Sequence, residues 1–236
     1  MLKHLPNAMT CGNLLCGCIG ILMAMEGDLI TASWLIILAG ILDFGDGLVA
    51  RMVGVSGPFG KELDSLADVV TFGVLPSFIL LSLLRSDGDL QLESYSAFAI
   101  AICGALRLAR FNIDTRQSDQ FLGVPIPANA LVVASLPLMA ASGGVVSKPL
   151  ADFFLSVGFI AFYIVVMSLL MVSELPLMAF KFKNYGWQQN RIKYSFLIAS
   201  ILLLTLLQFA AIPLIILLYI LLSILTKERK SENVKA

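Results

Sequence analysis

Long apolar stretches, each near the length of a membrane span, alternate along this chain with short breaks that carry Gly, Pro and charge. A helix crossing a bilayer needs ~20 predominantly apolar residues. The pattern predicts eight such segments: Ala8–Met25, Leu29–Val53, Leu63–Leu84, Tyr95–Ile113, Pro127–Ala141, Phe153–Val172, Ser195–Ala210 and Ile212–Leu225. The fifth is short and contains Pro137. The last two form one uncharged run, Ser195–Thr226, in which Pro213 predicts either a turn between two short spans or a bend in one. The expected fold is all-α: a polytopic membrane helix bundle of about eight transmembrane helices over residues 1–226. A basic tail, residues 227–236, is expected to be disordered and to lie near anionic headgroups.

Composition removes the soluble alternatives. The chain is 58% hydrophobic and 14% charged, with a mean hydropathy of +0.91, and a water-surrounded domain has no use for that much apolar surface. The first segment reads as a retained helix and not as a cleaved leader. Only Lys3 and His4 precede it, Thr10 and Asn13 interrupt it, and no small-residue cleavage site follows before Glu26. Cys11, Cys16, Cys18 and Cys103 lie in apolar stretches without metal or redox spacing, and read as small buried hydrophobes. His4 is the single histidine, which excludes zinc sites built on two histidines and phosphatidyl transfer of the phospholipase D type.

Charge sets the orientation. With both termini cytoplasmic, one side of the membrane collects 14 of the 16 Lys and Arg residues, and only Arg85 and Lys148 fall on the other. So strong a positive-inside bias puts the cytoplasmic ends of helices two and three together, at a multi-pass cytoplasmic membrane.

Those ends hold the candidate chemistry, "LDFGDGLVARMVGVSGPFGKELDSLADVV" from Leu42 to Val70. Asp43 and Asp46 are three apart, and Asp64 and Asp68 four apart, so each pair lies on one helical face. Gly54, Gly57, Pro58 and Gly60 between them predict a turn joining antiparallel neighbours, able to aim four carboxylates at one pocket. Four close carboxylates repel, and divalent cations relieve the repulsion. An oxygen-only ligand set suits Mg²⁺ or Mn²⁺, and two such ions can hold a pyrophosphate and favour displacement at phosphorus. Gly47 and Ala50 would let a ligand approach the helix backbone, and Arg51 offers a fork for phosphate.

Asp43-x2-Asp46-Gly47-x2-Ala50-Arg51-x8-Gly60-x3-Asp64-x3-Asp68 matches all eight fixed positions of the CDP-alcohol phosphotransferase signature, and the chain resembles that family. The resemblance implies transfer of a phosphatidyl group from CDP-diacylglycerol to an alcohol, with release of CMP, in a homodimer among membrane lipids. It implies Asp43, Asp46 and Asp64 as ligands of two divalent cations. Asp68 is implied as the base that takes the acceptor's proton and as a further contact to metal. Gly47, Ala50, Arg51 and Gly60 are implied in CDP-lipid binding, and so, by a looser likeness of "LPNAMT", are Asn7 and Thr10. No nucleic-acid partner is expected.

The stretches "DSLADVVTFGVLPS" and "LRLARFN" followed by "FLGVPIPANA" resemble the phosphatidylserine synthase branch of the family. L-serine is a zwitterion: Arg107 and Arg110, three apart at the end of helix four, could take its carboxylate, and Glu62 or Glu174 its ammonium. The same arginines would suit glycerol 3-phosphate, so phosphatidylglycerophosphate synthase is the alternative, with inositol phosphate transfer behind it. A cation transporter, whose site would sit near the bilayer midplane between related halves, is the remote alternative.

Overall fold

A computed structural model describes residues 4–55, 57–85, 92–114, 121–142, 148–178 and 186–235. Lys3, Arg116, Lys181 and Lys183, which enter the charge count above, lie outside the described residues.

The first hairpin is built by its caps. Helix α1 (Leu5–Glu26) stops at Gly27, whose φ of 88° is left-handed and whose N–H returns to Ala24 and Met23 carbonyls. Asp28 then starts α2 (Leu29–Val53) by accepting from the Thr31 N–H at 3.0 Å. At the other end Gly54, φ 68°, closes α2, and extended Gly57 with Pro58 opens α3 (Pro58–Asp68). Helix three therefore begins before Leu63, and Gly60 lies in its first turn and not in the turn itself.

A π-helical segment, Val69–Val74, joins α3 to α4 (Leu75–Leu83), so that the span runs unbroken from Pro58 to Leu83. It packs tightly against α1: a methyl group added at Gly17 would meet the Thr71 Cα at 3.0 Å, the close approach that small residues allow between membrane helices. Thr71 uses that proximity to donate to the Asn13 carbonyl at 3.0 Å.

A 3₁₀ turn, Leu92–Phe98, leads into α5 (Ala99–Ile113). Strand β1 (Phe121–Leu122) precedes α6 (Ile126–Ser142), the central helix, in which every residue from Val132 to Met139 is buried. A helix apolar all round belongs inside a bundle. Helices α7 (Lys148–Phe154) and α8 (Val157–Val172) meet at a bend of 64°, where Ser156 caps α8. The sixth predicted segment is thus α8, preceded by the bend and the last two residues of α7. Strand β2 (Pro176–Leu177) pairs antiparallel with β1, Phe121 opposite Leu177 and Leu122 opposite Pro176.

Helices α9 (Trp187–Leu207) and α10 (Ala211–Lys235) are separated by Gln208, a non-glycine residue at φ 50°, and a 3₁₀ turn over Gln208–Ala210. Pro213 sits in the first turn of α10, where its missing N–H costs nothing. Helix α10 runs on through the tail expected above to be disordered.

Among the described residues five helices are long and apolar enough to cross a membrane, six if the bent α7–α8 pair counts as one span. Phe44, Phe162, Leu169 and Leu202 stay exposed on the outer surface, as side chains facing lipid do. Ile36, Phe72, Ile100, Ile126 and Ile164 fill the inside. The chain is an all-α, multi-pass membrane helix bundle.

Candidate active site

Carboxylate oxygens of Asp43 on α2 and of Asp64 and Asp68 on α3 all lie within 4.8 Å of one another. Asp43 and Asp64 are within hydrogen-bonding reach of each other. Asp68 is buried and accepts from the Asn13 amide of α1 at 3.3 Å, which engages Oδ1 alone. Oδ1 of Asp64 is buried with no hydrogen-bond partner, as is Oδ1 of Asn13. Buried acceptors without donors are costly, and here they sit in a group of like charges. A hard cation satisfies both demands at once, and three carboxylates without Cys or His suit Mg²⁺ or Mn²⁺. The site therefore fits a divalent ion, which Asp43, Asp64 and Asp68 could hold.

Asp46 is placed differently from its three partners. It lies within electrostatic reach of Asp64 and Asp68, but its Oδ2 accepts from the Thr10 hydroxyl at 2.5 Å and it stands outside the close triplet. The sequence pattern aims four carboxylates at one pocket; the structure converges three and braces the fourth against α1.

The residues implied in CDP-lipid binding lie on α1, α2 and α3, the helices that build this cluster and its braces. A methyl group on Gly47 would meet nothing within 4 Å, so the α2 backbone is open to a ligand there. Ala50 is half-buried one turn on. Arg51 is exposed, its Nε donating to the Gly47 carbonyl at 2.9 Å. A methyl group on Gly60 would stand 3.4 Å from Asn7 Oδ1, which puts α1 and the start of α3 at one mouth. Lys61 donates to the Asn112 carbonyl at 3.0 Å, and Asn112 to Ser65 at 2.9 Å, fixing α3 to the end of α5.

That end of α5 opens a second space. Arg107, Arg110, Asp114, Ser173 and Glu174 are among the residues lining a cavity of ≈ 340 Å³. Arg107 is 7% exposed, its Nε has no hydrogen-bond partner, and it lies within electrostatic reach of Asp68. Arg110 is exposed and donates to the Val172 carbonyl at 3.0 Å, so it also caps α8. Glu62, exposed on α3, is not among the lining residues.

The family model for CDP-alcohol phosphatidyltransferase matches residues 3–172, which span α1 to the end of α8 and hold the whole carboxylate cluster. The chain belongs to the CDP-alcohol phosphatidyltransferase family. Its relatives include the CDP-diacylglycerol–serine O-phosphatidyltransferase of Helicobacter pylori, 37% identical over 179 residues, 75% of this chain and 72% of that protein. The Bacillus subtilis protein of the same name is 37% identical over 151 residues, 60% of this chain and 82% of that one. The archaetidylserine synthase of Methanothermobacter thermautotrophicus is 37% identical over 137 residues, 57% and 58% of the two chains.

Sequence reasoning passed over Asn13 as a site residue. It noted Asn13 only as a polar interruption of the first span, and nothing local ties it to an aspartate 55 positions away. The signal was present: a polar residue one turn from Thr10 on the same face of an apolar helix.

Proposed function

We propose that the chain transfers the phosphatidyl group of CDP-diacylglycerol to the hydroxyl of L-serine, giving phosphatidylserine and CMP. The observation that carries the reading is the pairing of the Asp43–Asp64–Asp68 cluster with an adjoining cavity that holds Arg107, Arg110 and Glu174. Relatives named for serine transfer support it.

The roles follow from position. The CDP headgroup lies against the open backbone at Gly47 and Ala50, with Arg51, Gly60, Asn7 and Thr10 around it. Asp43, Asp64 and Asp68, with Asp46 close by through the oxygen not bonded to Thr10, would hold two divalent cations, Mg²⁺ or Mn²⁺. When bound, such ions supply charge neutralisation for a pyrophosphate and for the phosphate that leaves. Asn13 occupies Oδ1 of Asp68, and the second carboxylate oxygen of Asp68 takes the serine hydroxyl proton as the serine oxygen attacks the lipid-linked phosphorus. The bond to CMP breaks as the new ester forms. Arg51 stabilises the departing phosphate.

The cavity favours a zwitterion. Two guanidinium groups and the carboxylates of Asp114 and Glu174 line it, so an acceptor with one negative and one positive group meets a partner for each. A sugar or glycerol phosphate, negative only, would meet the same carboxylates as repulsion. The excess of Lys and Arg on one side supports a site at the cytoplasmic face, with both termini. A homodimer belongs to the same reading.

The test is CMP release by the purified protein with CDP-diacylglycerol and Mg²⁺ or Mn²⁺, comparing L-serine, glycerol 3-phosphate and inositol phosphate. Release with serine alone is expected. Release with another alcohol would overturn the acceptor assignment, and release with none would reopen the transporter alternative.

A further inference from the structure

Helix α10 lies beyond residues 3–172, where the family model matches, yet it anchors the segment that leads away from the cavity wall. After α8 ends at Val172, the chain passes through Ser173 and Glu174, pairs as β2, and reaches Met178. Both backbone groups of Met178 are taken by α10. Its N–H donates to the Ser223 hydroxyl at 3.2 Å, and its carbonyl accepts from the Tyr219 hydroxyl at 3.0 Å. Tyr219 and Ser223 are four apart and so share one face of the helix. The Ser223 hydroxyl donates in turn to the Tyr219 carbonyl at 2.7 Å, so it can offer Met178 only a lone pair. Both residues are buried.

The other side of the same strap is fixed from α5 and β1. The Gly123 N–H donates to the Leu175 carbonyl at 2.9 Å, and Arg110 to Val172 at 3.0 Å. Glu174, held between these anchors, is exposed and lines the cavity. Tyr219 also lies within electrostatic reach of Arg107. The α10 face thus reaches both the strap that carries the acidic side of the cavity and the buried arginine of its basic side.

We propose that Tyr219 and Ser223 are positioning residues for the acceptor: they clamp the backbone at Met178 and so set Glu174 against Arg107 and Arg110. The clamp rests on the reading that serine occupies this cavity. Loosening it weakens acceptor binding and leaves the CDP-lipid side, built from α1 to α3, unaffected.

The experiment is steady-state CMP release by Tyr219→Phe, Ser223→Ala and Glu174→Gln, with serine and CDP-diacylglycerol varied separately. Tyr219→Phe removes the bond to the Met178 carbonyl, and Ser223→Ala removes the bonds to the Met178 N–H and the Tyr219 carbonyl, so the KM for serine is expected to rise roughly three- to tenfold. The KM for CDP-diacylglycerol and the kcat at saturating serine should stay within about twofold of the parent. A rise in both KM values with a fall in kcat would mean general destabilisation and overturn the clamp. If Glu174→Gln raises the serine KM while both α10 variants match the parent, the clamp fails and the acceptor reading stands. If none of the three moves the serine KM, the cavity is not the acceptor site and both fail.

Discussion

The Thr10 hydroxyl on α1 donates to Oδ2 of Asp46 on α2 at 2.5 Å, across 36 residues of chain. The Pro6 carbonyl, at 3.1 Å, is the competing acceptor for that one proton; the shorter bond to a carboxylate is the stronger. One turn further along α1, Asn13 holds Asp68. Helix α1 is therefore a brace for the aspartates on both neighbouring helices.

Removing the brace at Thr10 should loosen Asp46 without altering the carboxylate triplet. Thr10→Val keeps the shape of the side chain and deletes the donor, leaving a buried carboxylate oxygen unpaired, a cost of about 1–3 kcal/mol. The expected result is a rise of roughly tenfold or more in the Mn²⁺ concentration needed for half-maximal CMP release. Thr10→Ser, which keeps the hydroxyl, should remain near the parent. Unaltered metal dependence in Thr10→Val would show that the bond does not support the site.

Asp68→Asn tests the base. The amide keeps the size of the side chain but cannot take a proton, and a positioned general base contributes about 10²- to 10⁴-fold. Turnover should fall by at least that range, while CDP-diacylglycerol binding, followed by equilibrium titration, stays close to the parent. Full activity would remove Asp68 from the mechanism.

The Asp43–Asp64 contact predicts what chelation and substitution share. EDTA should abolish CMP release, and Mg²⁺ or Mn²⁺ should restore it. Asp43→Asn removes one charge from the triplet, so Mn²⁺ affinity, read by calorimetry or electron paramagnetic resonance, should fall together with turnover. Unchanged affinity would count against Asp43 as a ligand.

The elements were easier to read than their contacts. Apolar runs closed by Gly27, Gly54 and Pro58 report local backbone needs, so the spans and the α2–α3 turn are legible from pattern alone. The spacing of Asp43, Asp64 and Asp68 is legible too, because helical periodicity brings each to a face. The π-helical join at Val69–Val74 and the bend between α7 and α8 are not, since both segments read as continuous apolar helix and tertiary packing decides their geometry. Asn13 with Asp68, and Tyr219 with Met178, join residues 55 and 41 positions apart. A distance of that kind is fixed by the fold and leaves no period in the chain.

Gly123 offers a last test, because it sits where the cavity wall is most constrained. Its φ of 71° is left-handed, and a methyl group there would come within 2.5 Å of the Met171 carbonyl oxygen and 3.0 Å of that of Ser173. Gly123→Ala adds backbone strain of about 1–2 kcal/mol to a clash with backbone atoms that no side-chain rotation relieves. The strap at Ser173 and Glu174 must move or the helix end must open. Thermal unfolding in detergent should occur several degrees lower, and the KM for serine should rise even where protein remains folded. Gly158→Ala is the matched control: that glycine is helical, and a methyl group on it would meet nothing within 4 Å. Alanine is better than glycine in a helix by about 0.8–1 kcal/mol, so this variant should melt at the parent temperature or above it. Equal behaviour of the two variants would mean that the Gly123 turn is not what holds the strap.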